Sequence, residues 1–433
     1  MNAASDPGTL FKKDDVLVLF GELFGRGYAS GVVEAAKRAG MQLIGVTVGR
    51  RDKNNQLRAL TAEELATAEA GLGGKIINVP MMAGCDLDAP EGQPTPTDLL
   101  NEMTIDTWQE HKLDWDYIAQ CREIGTARFK AAVTEAMTQI DALIPAGKNV
   151  IFLHTMAGGI PKAKVFLVLA NRIYKGRGAR HMKSQDLLDS DLGKFILQNF
   201  DEVSANTFDH LLQASAPIRS RIEAAGGEVR YGAYGYHGTK VLIDGEYRWQ
   251  TYTNYTQGYA KMRLEDFAKA AWAGGVKATV FNCPEIRTNS SDVFAGIELS
   301  LLPLLSALQR EGAGSFTDAI WAQSAALLKE GISVQDMLDR VSAYQASEAM
   351  QPYYDFAAWP KPNSADQVEQ TVGTSQDVLQ MHRDPKALIS DLLSQHVVSA
   401  TGALIFDKLA APTAPVEWLN HDVVARQLAE DKA

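Results

Sequence analysis

The apolar residues of this chain come in short buried-type runs separated by helical stretches. Val16 to Phe20 reads VLVLF after a run of charged residues, and five apolar residues in succession suit a strand covered on both faces. Ala29 to Ala39 has helical character and stops at Gly40; Gln42 to Val48 (QLIGVTV) is a second strand. This unit spans about thirty residues, the size of a strand–helix–strand crossover. Thr61 to Ala70 reads as a helix, with Thr61 as its N-cap and Glu64 completing a capping box, and Lys75 to Val79 as a third strand. A Pro-, Gly- and Asp-rich loop over 80–96 leads into helical material that runs to about Ile144. Asn149 to His154, Glu228 to Tyr236 and Lys277 to Asn282 supply three further strands, the last two separated by a helix over 256–274. Gly402 to Phe406 (GALIF) reads as a final strand.

This alternation predicts an α/β fold of Rossmann type: a doubly wound, mostly parallel sheet with helices on both faces. Residues 163–225 are mainly helical and longer than a crossover needs, which makes them a candidate substrate lid. The expected division is a catalytic domain over 1–345 and a helical extension over 346–433, carrying the final strand and packed on the same domain.

Composition narrows the function. With 46% hydrophobic residues in 433, the chain can bury a large core, and its formal charge of −11 argues against nucleic acid. A local basic cluster, Lys175, Arg177, Arg180 and Lys183, is a candidate dock for an acidic carrier protein. Cys85, Cys121 and Cys283 are too few and too scattered for a disulfide frame or a zinc site, so no metal is expected. No stretch is apolar enough for a membrane span, and the first residues show no export signal; a cytoplasmic protein is the expectation.

The turn after the first strand is Phe20-Gly21-Glu22-Leu23-Phe24-Gly25-Arg26-Gly27-Tyr28, a GxxxGxG pattern. Glycines there let the backbone turn tightly and approach a pyrophosphate, while the next helix offers N–H groups and a positive dipole end. Gly21, Gly25, Arg26, Gly27 and Tyr28 are therefore cofactor-binding candidates. The second strand ends Thr47-Val48-Gly49-Arg50-Arg51, with no acid before Asp52 to accept from a ribose. Arg50 and Arg51 suit a 2′-phosphate, which favours NADPH, with NADH as the alternative. Thr155, Ala157 and Gly158 follow the fourth strand at the carboxyl edge, where small residues admit the cofactor ribose. His154 and His237 have no evident carboxylate partner and read as structural or peripheral.

Two tyrosine–lysine pairs compete for the chemistry. Tyr236 and Lys240 have YxxxK spacing, but VLIDGEYRW follows, a hairpin pattern around Asp244-Gly245 that keeps Lys240 off a helix. Lys261 instead opens a helix, and Tyr252 or Tyr255 in the loop before it can reach the same ligand. The stretch W-x-x-Y-x8-K-x-x-L-E, from Trp249 to Glu265, closely resembles the signature of FabV-type trans-2-enoyl thioester reductases. Ala233-Tyr-Gly-Tyr236-His-Gly238 resembles a second segment of that family, Pro284 to Thr288 resembles the part that closes over the nicotinamide, and Leu299 to Leu305 resembles the acyl-channel helix. The resemblance covers roughly residues 15–345. It implies Tyr252 and Lys261 as the catalytic pair, Tyr236 as a second active-site tyrosine, Lys261 and Thr288 at the cofactor, and an enoyl thioester on acyl carrier protein or CoA. The departures are Arg50-Arg51 in place of an acid, TQGYAK before the helix, and an extra hairpin between Tyr236 and Tyr252; they point to a divergent branch.

Two other readings compete. Reduction of a 3-oxoacyl thioester usually needs a serine or threonine upstream of the tyrosine; no serine lies between Ser220 and Tyr252, and Thr239 is the only plausible substitute. A catalytically silent NADPH sensor would keep the glycine loop without needing the tyrosine–lysine pair.

Overall fold

The computed structural model describes residues 10–235, 238–251, 256–288, 291–354 and 361–430. Its strands are β1 (Val16–Phe20), β2 (Gln42–Val46), β3 (Arg50–Arg51), β4 (Leu57–Arg58), β5 (Lys75–Ile77), β6 (Val150–His154), β7 (Val229–Gly235), β8 (Gly238–Ile243), β9 (Glu246–Thr251), β10 (Ala278–Asn282) and β11 (Val416–Trp418). Seven of them form one sheet in the order β11-β10-β7-β6-β1-β2-β5, and every pairing in it is parallel. Chain order reverses between β1 and β6, so the loops leaving these two strands diverge and open a crevice at the carboxyl edge. β1 and β6 are buried at every position, as runs covered by helices on both faces must be.

The helices before β6 are α1 (Ala29–Arg38), α2 (Ala62–Leu72), α3 (Pro96–Asn101) and α4 (Trp115–Leu143). Thr61 caps α2 and Glu64 closes the reciprocal capping box, as the sequence predicts. Between β6 and β7 come α5 (Lys164–Lys175), α6 (Ser184–Asp189), α7 (Asp191–Phe200), a π-helical turn (Asp201–Asn206), α8 (Thr207–Ala214) and α9 (Ala216–Ala224). Leu192, Phe195, Ile196, Phe208 and Leu211 of this segment lie in the main core, so its second half is the helical layer of the crossover. Its first half joins the same core through Val165, Phe166, Leu169 and Ile173 of α5 and Leu187 of α6.

After β9 follow α10 (Thr256–Ala273), α11 (Ile297–Leu301), α12 (Pro303–Glu311), α13 (Ser315–Ala326), α14 (Val334–Ala346), α15 (Ala365–Met381), α16 (Ile389–Ala410) and α17 (His421–Glu430). One expectation is overturned here: Gly402 to Phe406 belongs to α16 and is not a strand. GALIF sits inside a longer helical period in which Leu393, Val397, Ala400, Ile405 and Leu409 are buried; a short apolar run alone does not distinguish strand from helix. The last strand is β11, three half-buried residues pairing with β10, too short to announce itself.

Candidate functional site

The glycine loop and the loop after β6 meet at the switch point. Gly21 has φ +127°, and a Cβ there would lie 2.6 Å from Thr155 Oγ1 and 3.0 Å from Met156 N, so only glycine lets the two loops touch. Thr155 N and Oγ1 donate to Phe20 O at 3.0 and 3.3 Å, which fastens the contact. Gly25 and Gly27 differ: a Cβ at Gly25 meets nothing within 4 Å, and one at Gly27 comes no closer than 3.5 Å to Phe24 O. Beside them α1 starts without a side-chain cap. Open space ahead of a helix N-terminus is what a pyrophosphate requires, so the residues present fit a dinucleotide. Gly25→Val and Gly27→Val are therefore expected to fold normally and lose cofactor binding, read by circular dichroism and by fluorescence titration with NADH. Arg26 is exposed on this loop. The Tyr28 hydroxyl donates to Pro284 O and its ring stacks on Tyr234 at 5.7 Å, which ties the loop to the segment after β10. In that segment Thr288 N donates to Ser291 Oγ at 2.7 Å.

From the loop a cleft of about 610 Å³ extends between the ends of β1 and β2 and the helix α2, past Glu22, Thr47, Arg50, Thr67 and Ala68. The two arginines do not converge on it. They form β3, a two-residue arm paired antiparallel with β4. Arg50 lines the cleft and is ion-paired with Glu22, whose Oε1 also accepts from Thr47 Oγ1 at 2.9 Å. Arg51 turns aside: its Nη1 donates to Asn55 O at 2.9 Å and its Nε approaches Met82 Sδ at 3.5 Å. The acid missing from the end of β2 thus comes from the glycine loop. Glu22 was not singled out from the sequence, because its contacts with Thr47 and Arg50 exist only once β1 and β2 are paired.

Lys261 is on the first turns of α10, buried, with Nζ donating to Tyr234 O at 2.8 Å at the carboxyl end of β7. Burial pulls its pKa down to about 8. Lys240 is on β8: its backbone N–H donates to Asn420 Oδ1 at 2.8 Å and its ammonium lies 5.1 Å from the centre of the Trp249 ring. Tyr236, His237, Tyr252 and Tyr255 lie outside the described residues.

His154 ends β6 beneath the site. Its Nε2 is 2.8 Å from Thr207 Oγ1, and since that hydroxyl donates to Val203 O, the imidazole is the donor. Burial, with the nearby Lys261 charge, holds its pKa well below the usual value, so it stays neutral. The π-helical turn serves the loop above it. Ser204 Oγ donates to Gly158 O at 2.9 Å, Asn199 Nδ2 donates to Gly159 O at 2.8 Å, and Gln257 Nε2 reaches Ser204 Oγ at 3.2 Å. Ser204 is on the π-turn itself, Asn199 lies in the last turn of α7 just before it, and Gln257 is in the first turn of α10. They hold Gly158 and Gly159 at φ +112° and +120°, which leaves Ala157 exposed on the loop. Asn199 and Ser204 escaped the sequence reading, since their contacts with Gly159 and Gly158 join residues 40 and 46 positions apart. No cluster of metal ligands occurs among the described residues, and no described helix is long and apolar enough to cross a membrane.

The sequence profile of the family described as enoyl-acyl carrier protein reductase FabMG matches residues 3–428. The chain belongs to that family. A solved relative described as the apo structure of FabMG, a novel type of enoyl-acyl carrier protein reductase, is 58% identical with a TM-score of 0.96, covering 98% of this chain and 97% of its own. A second, described as the NADH-bound structure of FabMG, is 50% identical with a TM-score of 0.80 over the same shares. No curated protein matches the chain significantly. As a FabMG enoyl-acyl carrier protein reductase, it is an oxidoreductase that uses a nicotinamide cofactor on a carbon–carbon double bond. The enoyl-reductase reading is borne out, with FabMG as the branch, and the ketone-reductase and silent-sensor alternatives fall away.

Proposed function

We propose that the enzyme reduces the 2,3 double bond of an enoyl group carried on acyl carrier protein, in the cytoplasm, with NADH as reductant and Tyr252 and Lys261 as its catalytic pair. The observation that carries this reading is the buried Lys261 ammonium held at the carboxyl end of β7, the strand next to β6. When bound, the nicotinamide supplies the hydride that adds to the β-carbon. Negative charge then develops on the thioester oxygen, where the Tyr252 hydroxyl donates a hydrogen bond worth about 3 kcal/mol. Tyr236 is a second, weaker donor. Lys261 holds the ribose hydroxyls and by its charge lowers the phenol pKa. Gly21, Gly25 and Gly27 with the start of α1 would take the pyrophosphate; Arg26 and Tyr28 flank it, and Thr155, Ala157, Gly158 and Thr288 border the nicotinamide half.

The choice of NADH departs from the reading of Arg50-Arg51 as a phosphate clamp. Glu22 Oε2 has no hydrogen-bond partner among the described residues and can accept from the adenosine ribose. A 2′-phosphate in the same corner would meet Glu22 with Glu63 on the cleft wall, where Arg50 is already paired with Glu22 and Arg58 with Glu64. A relative solved with NADH agrees with this choice. In an assay with an enoyl and a 3-oxoacyl thioester, only the enoyl substrate should consume cofactor, and NADH should exceed NADPH in kcat/KM at least tenfold. Glu22→Gln should narrow that ratio by improving NADPH. Turnover of the 3-oxoacyl substrate would contradict the reaction, and a native preference for NADPH would contradict the cofactor corner.

A further inference from the structure

We infer that the outward face of α5 is the surface on which the acyl carrier protein docks; the inference rests on the carrier-bound substrate proposed above. Between Asp141 and Asp186 the sequence contains no carboxylate and eight lysines or arginines, in a chain whose net charge is −11. The fold puts most of these on one rim. α5 leaves the loop that follows β6, so it begins where the cofactor crevice ends. Its inner face, Val165, Phe166, Leu169 and Ile173, is buried. Lys164, Leu167, Val168 and Asn171, at i, i+3, i+4 and i+7, form the opposite face and are exposed.

Two features of that face call for a partner. Leu167 and Val168 are adjacent and 55% and 44% exposed, and with Ile160 at 37% they are three of the six large apolar side chains exposed among the described residues, all within residues 160–168. The charged residues of α5 and its flanking turns, over 160–185, are all positive. Arg177 is committed to Glu369 and Gln376, but Lys162, Lys164, Arg172 and Lys183 form no salt bridge among the described residues. An apolar centre with a cationic rim matches an acidic helix that presents a few apolar side chains, and opposite fields steer such an encounter. The far end of α5 reaches the reaction site from the other side: Tyr174 packs edge-on to Phe294 at 4.9 Å, just past the segment that carries Thr288. A carrier seated on α5 therefore stands over the gap between the loops after β6 and β10, where an acyl arm enters.

The test uses the full-length enzyme with one enoyl group on two handles, acyl carrier protein and N-acetylcysteamine. Lys164→Glu and Leu167→Glu should each lower kcat/KM for the carrier-linked substrate about tenfold or more, through KM, and leave the small thioester unchanged. Raising salt to 0.5 M should weaken the native enzyme only on the carrier-linked substrate. Native kinetics on the carrier from both variants, or equal losses on both substrates, would overturn the docking surface. A native enzyme that reduces the small thioester and refuses the carrier-linked one would instead overturn the carrier reading itself. Binding to anionic phospholipid vesicles that the variants lose, with carrier turnover intact, would assign the face to lipid and also overturn the proposal.

Discussion

Lys261→Ala is expected to lose at least about a hundredfold in kcat and to weaken NADH binding, whereas Lys240→Ala stays within about twofold of native. The contrast follows from placement. Lys261 is buried against the Tyr234 carbonyl at the carboxyl edge of the sheet, while the Lys240 ammonium lies over the Trp249 ring on the β8–β9 hairpin. Tyr252→Phe should lower kcat on a similar scale with cofactor affinity kept, because it removes one hydroxyl and little volume. Tyr236→Phe should be milder. Damage from Tyr255→Phe in place of Tyr252→Phe would transfer the donor role to Tyr255.

The same lysine sets a pH dependence. Burial disfavours the ammonium, so its charge is lost as pH rises through about 8, below the ordinary 10.5. The native kcat/KM should therefore fall on an alkaline limb near pH 8, since that parameter reports the free enzyme. Lys261→Arg keeps its charge at any working pH, and whatever activity it retains should lack the limb. A profile flat to pH 10 in the native enzyme would show that the charge of Lys261 is not used.

Much of this site is legible in the sequence because its signals are local. The VLVLF run, the three glycines and the following helix lie within one crossover unit, and a lysine on an amphipathic helix after a hairpin pattern can be placed without knowing the rest. What escaped depends on elements far apart in the chain. Glu22 matters through Thr47 and Arg50, which reach it only across the β1–β2 pairing. Arg50 and Arg51, adjacent in sequence, point to different places because a two-residue strand sends successive side chains to opposite faces. Ser204 acts from a π-turn, which differs from an α-helix by one residue in hydrogen-bond register and leaves composition unchanged, and Asn199 acts from the end of α7 on a loop forty residues before it.

Gly31→Val is expected to destabilise the enzyme by about 3 kcal/mol or more, at a position with no role in the glycine pattern read from the sequence. α1 crosses α16 at Gly31 and Gly402. A Cβ on Gly31 would lie 2.0 Å from Val398 O and 3.0 Å from Gly402 Cα, and one on Gly402 would lie 2.2 Å from the carbonyl carbon of Gly31. Every obstructing atom is backbone, so no rotamer change relieves the clash and the helices must separate. Separation would loosen Val32, Val33 and Ala36 from Val397, Ile405 and Leu409, which share one core cluster. Even Gly31→Ala and Gly402→Ala should lower the midpoint of urea unfolding. The double alanine variant should lose less than the sum, because helices already parted by one methyl leave room for the second. α1 also carries the pyrophosphate end of the proposed site, so Gly31→Ala, where still folded, should bind NADH more weakly than native. This pattern is the reverse of that at Gly25, where an added side chain meets open space and should block cofactor with no change in unfolding midpoint. A native-like midpoint in both Gly31→Val and Gly402→Val would show that the two helices do not approach at these glycines.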